Sequence, residues 1–276
     1  MITLNCKGRL LVLEKPVVMG IINTTPDSFF EGSRYHATQQ IVDTAGKMIT
    51  DGAAIIDIGG QSTRPGSQQV SASEEMERTA PAIEAIRKHF PDTFISIDTY
   101  YSTVARETVS MGADIINDIS AGSMDAELVP VVAGLNVPYI LMHMQGTPAT
   151  MQQQPHYNQV VQEVLQFLLT KKTALQNAGI KDIIIDPGFG FGKTIQHNLQ
   201  LLKQLQLFTM LDCPLLAGLS RKSTVYKTLG ITADQALNGT TALNMLALNN
   251  GANILRVHDV KEAVECVKLF EAYQSA

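Results

Sequence analysis

Eight short apolar runs, at residues 17–23, 54–59, 94–99, 114–120, 137–144, 182–188, 214–220 and 252–259, are each followed by a polar or glycine-containing loop, and helical periodicity returns in between. That alternation implies repeated βαβ units. The runs are nearly continuous in apolar character, as expected of a parallel sheet covered on both faces. Helical candidates lie at 73–89, 157–179 and 233–250, with Ser71, Ser102 and Asp125 placed as N-caps. Ahead of the first run, ITLNC, KG and RLLVLE suit two short strands turning at Gly8, a hairpin outside the main fold.

Eight strands do not by themselves close a barrel, since an open doubly wound sheet uses the same units. The polar residues decide between them. Asn23, Asp57, Asp98, Asn117, His143, Asp186, Ser220 and His258 fall near the carboxyl ends of the eight runs in succession. Barrel enzymes build their sites there, whereas an open sheet concentrates such residues at one switch point. The reading is an α/β (β/α)₈ TIM barrel in one domain of 276 residues, close to the roughly 250 typical of that architecture. Long loops at 24–36, 61–72 and 145–156 follow strands and so stand on the rim that carries these polar ends.

A formal charge of −5 and the lack of a Lys/Arg run leave no basic field for a polyanion, which excludes nucleic acid as the expected partner. Cys6, Cys213 and Cys266 are too dispersed for a metal pair or a disulfide framework. The N-terminal apolar run is interrupted by Lys7 and Arg9, and no stretch reaches the length of a membrane span. A soluble cytoplasmic protein is expected.

Asp98 and Asp186 are carboxylates at the ends of buried strands, desolvated and in need of a compensating partner. A donor-rich ligand supplies one; a helix cap or a neighbouring cation is the plainer alternative. With Asn117, which offers donors and an acceptor, they suit a flat heterocycle bearing amino and ring N–H groups. DPGFGFGKT, residues 186–194, is not a phosphate-binding P-loop, because Pro187 stands where that loop needs glycine. Its glycines let backbone approach a ligand while Phe189 and Phe191 present their rings. Arg64 in STRPG, Arg256 and His258 in RVH, and Asn23 beside TTPDS form a second set suited to oxygen-rich anions; each alone also reads as an ordinary salt-bridge partner or a satisfied histidine. Lys222 in SRKST can bond a ring carbonyl or nitrogen, or act as a Schiff-base amine, and Ser223 can cap or bind a carboxylate. His143 lacks a second nearby histidine, so it reads as lining the barrel, with Met142 and Met144 as adaptable packing.

With these residues in hand, the chain resembles the dihydropteroate synthase family over almost its whole length. MGIINTTPDSFFEG, DIGGQSTRPG, SIDT, INDIS, LMHMQGTP, DPGFGFGK, GLSRKS and ILRVHDV follow in the family's order. The resemblance implies that Asp98, Asn117, Asp186 and Lys222 hold a pterin ring. It implies that Asn23 binds Mg²⁺, that Thr63, Arg64, Arg256 and His258 hold a diphosphate, that Val257 is among the substrate-binding residues, and that Pro65, Phe191 and Ser223 line a p-aminobenzoate pocket closed by Thr25, Pro26 and Asp27. That pocket is where the family's sulfonamide inhibitors bind, and the family's homodimer is expected here. Arg64, Lys222, Arg256, His258 and Asp27 are then the expected catalytic group. Departures are Gln61 for the usual glutamate, Thr24 for a common valine, and Phe30 and Glu31 at the tip of the first loop; the lost charge at 61 is expected to alter loop packing.

Two other enzyme classes share parts of this pattern. A pterin-binding methyltransferase barrel has the same ring site but no need of TTPDSF or STRPG, and a Schiff-base aldolase would use Lys222. A pterin-binding module with decayed catalytic loops would be the non-enzymatic case, and Asn23, Arg64 and His258 argue against it.

Overall fold

The computed structural model describes residues 2–24, 34–61 and 69–276, with backbone alone at 34–37. Strands β1 (Ile2–Cys6) and β2 (Arg9–Leu13) form the antiparallel hairpin. Lys7 and Gly8 turn it at φ 54° and 89°, the positive pair that a two-residue hairpin loop demands.

The barrel strands are β3 (Val17–Asn23), β4 (Ile55–Gly59), β5 (Phe94–Asp98), β6 (Ile115–Asp118), β7 (Tyr139–Met142), β8 (Ile183–Asp186), β9 (Leu216–Ala217) and β10 (Ile254–Val257). Each pairs in parallel with its successor through β8, and β10 joins β9 to β3. The remaining seam closes through a parallel bridge between Ile185 and Leu215, with the Ile185 N–H donating to Pro214 O at 2.9 Å. Closure leaves this sheet no free edge. Around it run α1 (Arg34–Thr50), α2 (Ala72–His89), α3 (Ser102–Met111), α4 (Leu128–Leu135), α5 (Val160–Asn177), α6 (Ile195–Lys203), α7 (Ser223–Leu229), α8 (Leu237–Asn249) and α9 (Val260–Gln274). Among the described residues no helix is long and apolar enough to cross a membrane.

Several strands are shorter than the apolar runs that announce them, most of all β9 within 214–220. Burial continues where the ladder stops: Leu219 and Phe189 are fully buried outside any strand. Ser71 caps α2 as expected, accepting the Glu74 N–H at 3.2 Å. Neither Ser102 nor Asp125 stands at the N-cap position expected of it. Ser102 is the first residue of α3, and the Asp125 carboxylate takes its N–H at 2.7 Å from a different loop, while α4 starts after Glu127. The free N–H groups of a helix start attract an anion through space as readily as from the preceding residue.

Strand residues of one parity, among them Val18, Ile56, Ile97, Leu141, Ile185 and Val257, belong to the core under the helices. The opposite parity faces the barrel axis. Met19, Ile55, Ile115, Ile140, Ile184, Leu216 and Ile254 form its lowest layer, packed on Leu4, Cys6, Leu11 and Leu13 of the hairpin. The hairpin therefore plugs the amino end of the barrel, and only the carboxyl end remains open to a ligand. Cys6 sits in this plug, where burial pushes its thiol up to about 12 and removes it from thiolate chemistry.

Candidate active site

Above the apolar floor the inward positions turn polar. Gly59 lies opposite Asp98, Asp98 opposite Asn117, and Met142 opposite Asp186, while Asn117 itself lies opposite Ile140, so these groups gather at the carboxyl ends of their strands. Arg256, on β10, fills the centre. Its Nε donates to Asp57 Oδ2 at 2.7 Å and its Nη2 to Asp98 Oδ2 at 2.8 Å, while Asn117 Nδ2 donates to the same Asp57 oxygen at 3.2 Å. Burial works against the guanidinium charge, but Asp57 and Asp98 outweigh it and hold Arg256 above its ordinary range. Burial pushes Asp98 up to about 7 against the pull of Arg256, with Asp57 and Asp118 adding to the rise.

Asp186 closes β8, where its Oδ1 accepts the Gly188 N–H at 2.7 Å. Burial raises it, opposed first by Lys222. Burial lowers Lys222 to about 8, with Asp186 resisting. The Lys222 ammonium donates to Phe189 O and lies 4.8 Å over the Phe191 ring, a cation–π arrangement. Phe191 belongs to an apolar cluster at the mouth with Tyr100, Ile119, Met142 and Met151. Two carboxyls that resist ionisation, one lysine and one arginine thus gather at the mouth beside an aromatic ring.

The anion set is partly visible. Asn23 Oδ1 and Asp98 Oδ2 both approach Gly59, 3.6 and 3.9 Å from where its Cβ would stand. His258 is exposed on the rim; Ser220 Oγ accepts its backbone N–H at 3.2 Å and lies 3.0 Å from its Nδ1. Its Nδ1 is occupied by the hydroxyl, which leaves Nε2 as the ring nitrogen free to meet a ligand. Ser223 is half-buried at the first position of α7, so Lys222, not Ser223, occupies the cap position. Thr25, Pro26, Asp27, Thr63, Arg64 and Pro65 lie outside the described residues.

Three side chains stand elsewhere than the sequence suggests. Val257 is fully buried under the helices, which leaves its backbone as the only part able to serve the mouth. Phe189 is likewise in the outer core, so Phe191 alone of the two rings reaches the cavity. His143 points outward as well: its ring meets Phe167 of α5 edge-on at 4.8 Å, and its Nδ1 is 2.9 Å from Lys193 Nζ. At Val257 and His143 the preceding residue, Arg256 or Met142, takes the inward face, as strand alternation requires, whereas Phe189 lies in the loop after β8.

Sequence reasoning passed over Lys193, Glu75 and the Arg221–Asp259 pair. Lys193 is 3% exposed with four acceptors around its ammonium, and only its place after three glycines sets it apart in the sequence. Arg221 forks onto Asp259 at 2.9 and 2.6 Å, tying together the loops after β9 and β10. Glu75, on α2, is buried with no hydrogen-bond partner at either oxygen among the described residues.

The family model for pterin binding enzyme matches residues 19–258. Dihydropteroate synthase of Escherichia coli strain K12 is 44% identical over 272 residues, covering 98% of this chain and 96% of its own. The chain belongs to the dihydropteroate synthase family. Among solved structures, the Yersinia pestis dihydropteroate synthase in a sulfonamide drug complex superposes with a TM-score of 0.94 at 41% identity, over 100% of both chains. The Xanthomonas albilineans dihydropteroate synthase in complex with 7,8-dihydropteroate gives 0.90 at 38% identity, over 99% of both. As a dihydropteroate synthase the chain is a transferase on a TIM barrel.

The family's departures have local partners in this chain. Gln61 Oε1 accepts both the Tyr100 hydroxyl at 2.9 Å and the Val70 N–H at 3.3 Å. Thr24 donates its hydroxyl to Gly59 O at 3.2 Å, a bond that the more usual valine could not make.

Proposed function

We propose that the chain joins 6-hydroxymethyl-7,8-dihydropterin diphosphate to p-aminobenzoate, giving 7,8-dihydropteroate and pyrophosphate. The observation that carries this reading is the Arg256 bridge between Asp57 and Asp98, beside Asn117: it puts cationic and ring-reading carboxylate groups in one cavity at the open end. Asp98, Asn117 and Asp186 face the amino and N–H edge of the pterin, and Lys222 its carbonyl or ring nitrogen. Arg64, Arg256 and His258 oppose the charge that grows on the departing diphosphate, which is electrostatic stabilisation of the transition state. Phe191, Pro65 and Ser223 receive p-aminobenzoate, whose neutral amine needs no strong protein base.

Asn23 is the residue toward which Mg²⁺ would fit. The described residues contain no cluster of three or more His, Cys, Asp or Glu that would cage a metal, whereas Asn23 offers a single amide oxygen at the rim. One protein oxygen suits an ion that keeps its waters and is shared with a diphosphate. When bound, it would neutralise part of the leaving group's charge. Family resemblance supports a homodimer in the cytoplasm.

The test is pyrophosphate release from the pterin diphosphate, measured with and without p-aminobenzoate. Release that depends on the arylamine is expected, and Arg64→Ala should slow turnover more than it weakens binding. Full turnover by that variant at saturating substrate would remove the charge role.

A further inference from the structure

We propose that Lys193 is a positioning residue for this transfer, fixing the loop after β8 so that Phe191 and Lys222 stand where the two substrates need them. The inference rests on the reading of the site given above. Lys193 Nζ donates to Gly188 O at 2.8 Å and Phe191 O at 3.0 Å, and lies 2.9 Å from His143 Nδ1 and 3.2 Å from His143 O. A lysine amine carries at most three protons, so four acceptors leave none for a substrate. Lys193 therefore acts through the loop.

The other carbonyls of 188–192 are also held by side chains. Lys222 takes Phe189 O, Gln152 takes Gly190 O at 2.6 Å and Tyr157 takes Gly192 O at 2.9 Å. Asp186 Oδ1 and Asn198 Oδ1 accept the N–H groups of Gly188 and Gly190 at 2.7 and 2.8 Å. Gly188, Gly190 and Gly192 have φ of 72°, 84° and 63°, conformations that glycine tolerates but does not enforce, so these donors and acceptors define the loop. Lys193 bonds carbonyls three residues apart, bracing the span that the Phe191 N–H also crosses to Gly188 O at 3.2 Å. Phe189 O and the Phe191 ring both meet the Lys222 ammonium, so a displaced loop shifts ring wall and cation together. Misplacement by about 1 Å is enough to cost on the order of a hundredfold in rate.

The experiment varies each substrate in turn for the full chain, for Lys193→Met, and for Lys193→Cys before and after aminoethylation with 2-bromoethylamine. Wild-type protein treated in the same way serves as the control. In Lys193→Met the KM for p-aminobenzoate should rise at least tenfold, and aminoethylation, which rebuilds a lysine-length ammonium, should return it to within threefold of wild type. Unchanged KM for both substrates, or a loss confined to kcat in proportion to the unfolded fraction, would overturn the proposal. If Lys193→Met does not fold, Gln152→Ala and Tyr157→Phe each remove one loop donor; a threefold or greater rise in the same KM supports the proposal and an unaltered KM rejects it. A wild-type chain that releases no pyrophosphate would instead reject the reading of the site.

Discussion

Arg256 reaches down the barrel axis to Asp57, placing Nε 2.7 Å and Nη2 2.6 Å from one carboxylate oxygen that also accepts the Asn117 amide. Residues of β10 and β6 therefore share one oxygen of Asp57, on β4, beneath the mouth. Asp57 itself need not touch substrate for its loss to be felt there.

Asp57→Ala should destabilise the fold by about 3 kcal/mol, the lower part of the range for breaking a buried pair, because Arg256 keeps Asp98. Asn117 loses its anchor at the same time, so the KM for the pterin substrate should rise. Urea unfolding together with steady-state kinetics would show this; unchanged values of both would mean the bridge has no function.

The lowered Lys222 sets a pH limit. A folded value of about 8 keeps the ammonium protonated below that pH and loses it above. The profile of kcat/KM for the pterin substrate should accordingly fall as pH rises through about 8, and Lys222→Arg, which stays charged, should abolish that limb. A limb at the same pH in the arginine variant would assign it to another group.

Glu75 predicts a stability effect of opposite chemistry. Burial pushes its carboxyl up to about 7, above the ordinary carboxylate range, so the folded state holds the proton more tightly than the unfolded chain. Its contribution is complete below about pH 4.5 and is lost as pH rises toward 7. Glu75→Gln lacks this loss and should become more stable relative to wild type over that interval. Unfolding at pH 5 and at pH 8 would expose the change, and an identical difference at both would contradict it.

Gly188→Ala should be poorly tolerated. A Cβ there would stand 1.9 Å from His143 O on a backbone at φ 72°, so the loop must move and the Gly188 N–H must leave Asp186. A lowered Tm with weakened pterin binding is expected. Wild-type melting and binding would show that the loop relaxes freely.

Chelation of Mg²⁺ should slow pyrophosphate release while leaving the binding of a pterin without its diphosphate unaltered. Asn23→Ala should raise the Mg²⁺ concentration needed for half-maximal rate. Calorimetry with the bare pterin separates the two functions, and equal loss of both would place the ion in the ring site instead.

The residues themselves determine the eight apolar runs, their parallel pairing, the hairpin and the end of the barrel at which polar groups gather. These follow from local period and composition, which need no knowledge of distant neighbours. Tertiary structure alone decided which parity of each run faces inward, because a strand buried on both sides carries no polar mark of its inner face. That is why Val257 and His143 stand behind the wall, although Asp186 and Arg256 reach the mouth; Phe189 and Phe191 part company in the loop after β8, where strand parity no longer applies. It also decided the partners. Arg256 and Asp57 lie 199 residues apart, and the Lys193 clamp spans 50 residues to His143, separations at which only closure of the barrel brings a cation to its acceptors.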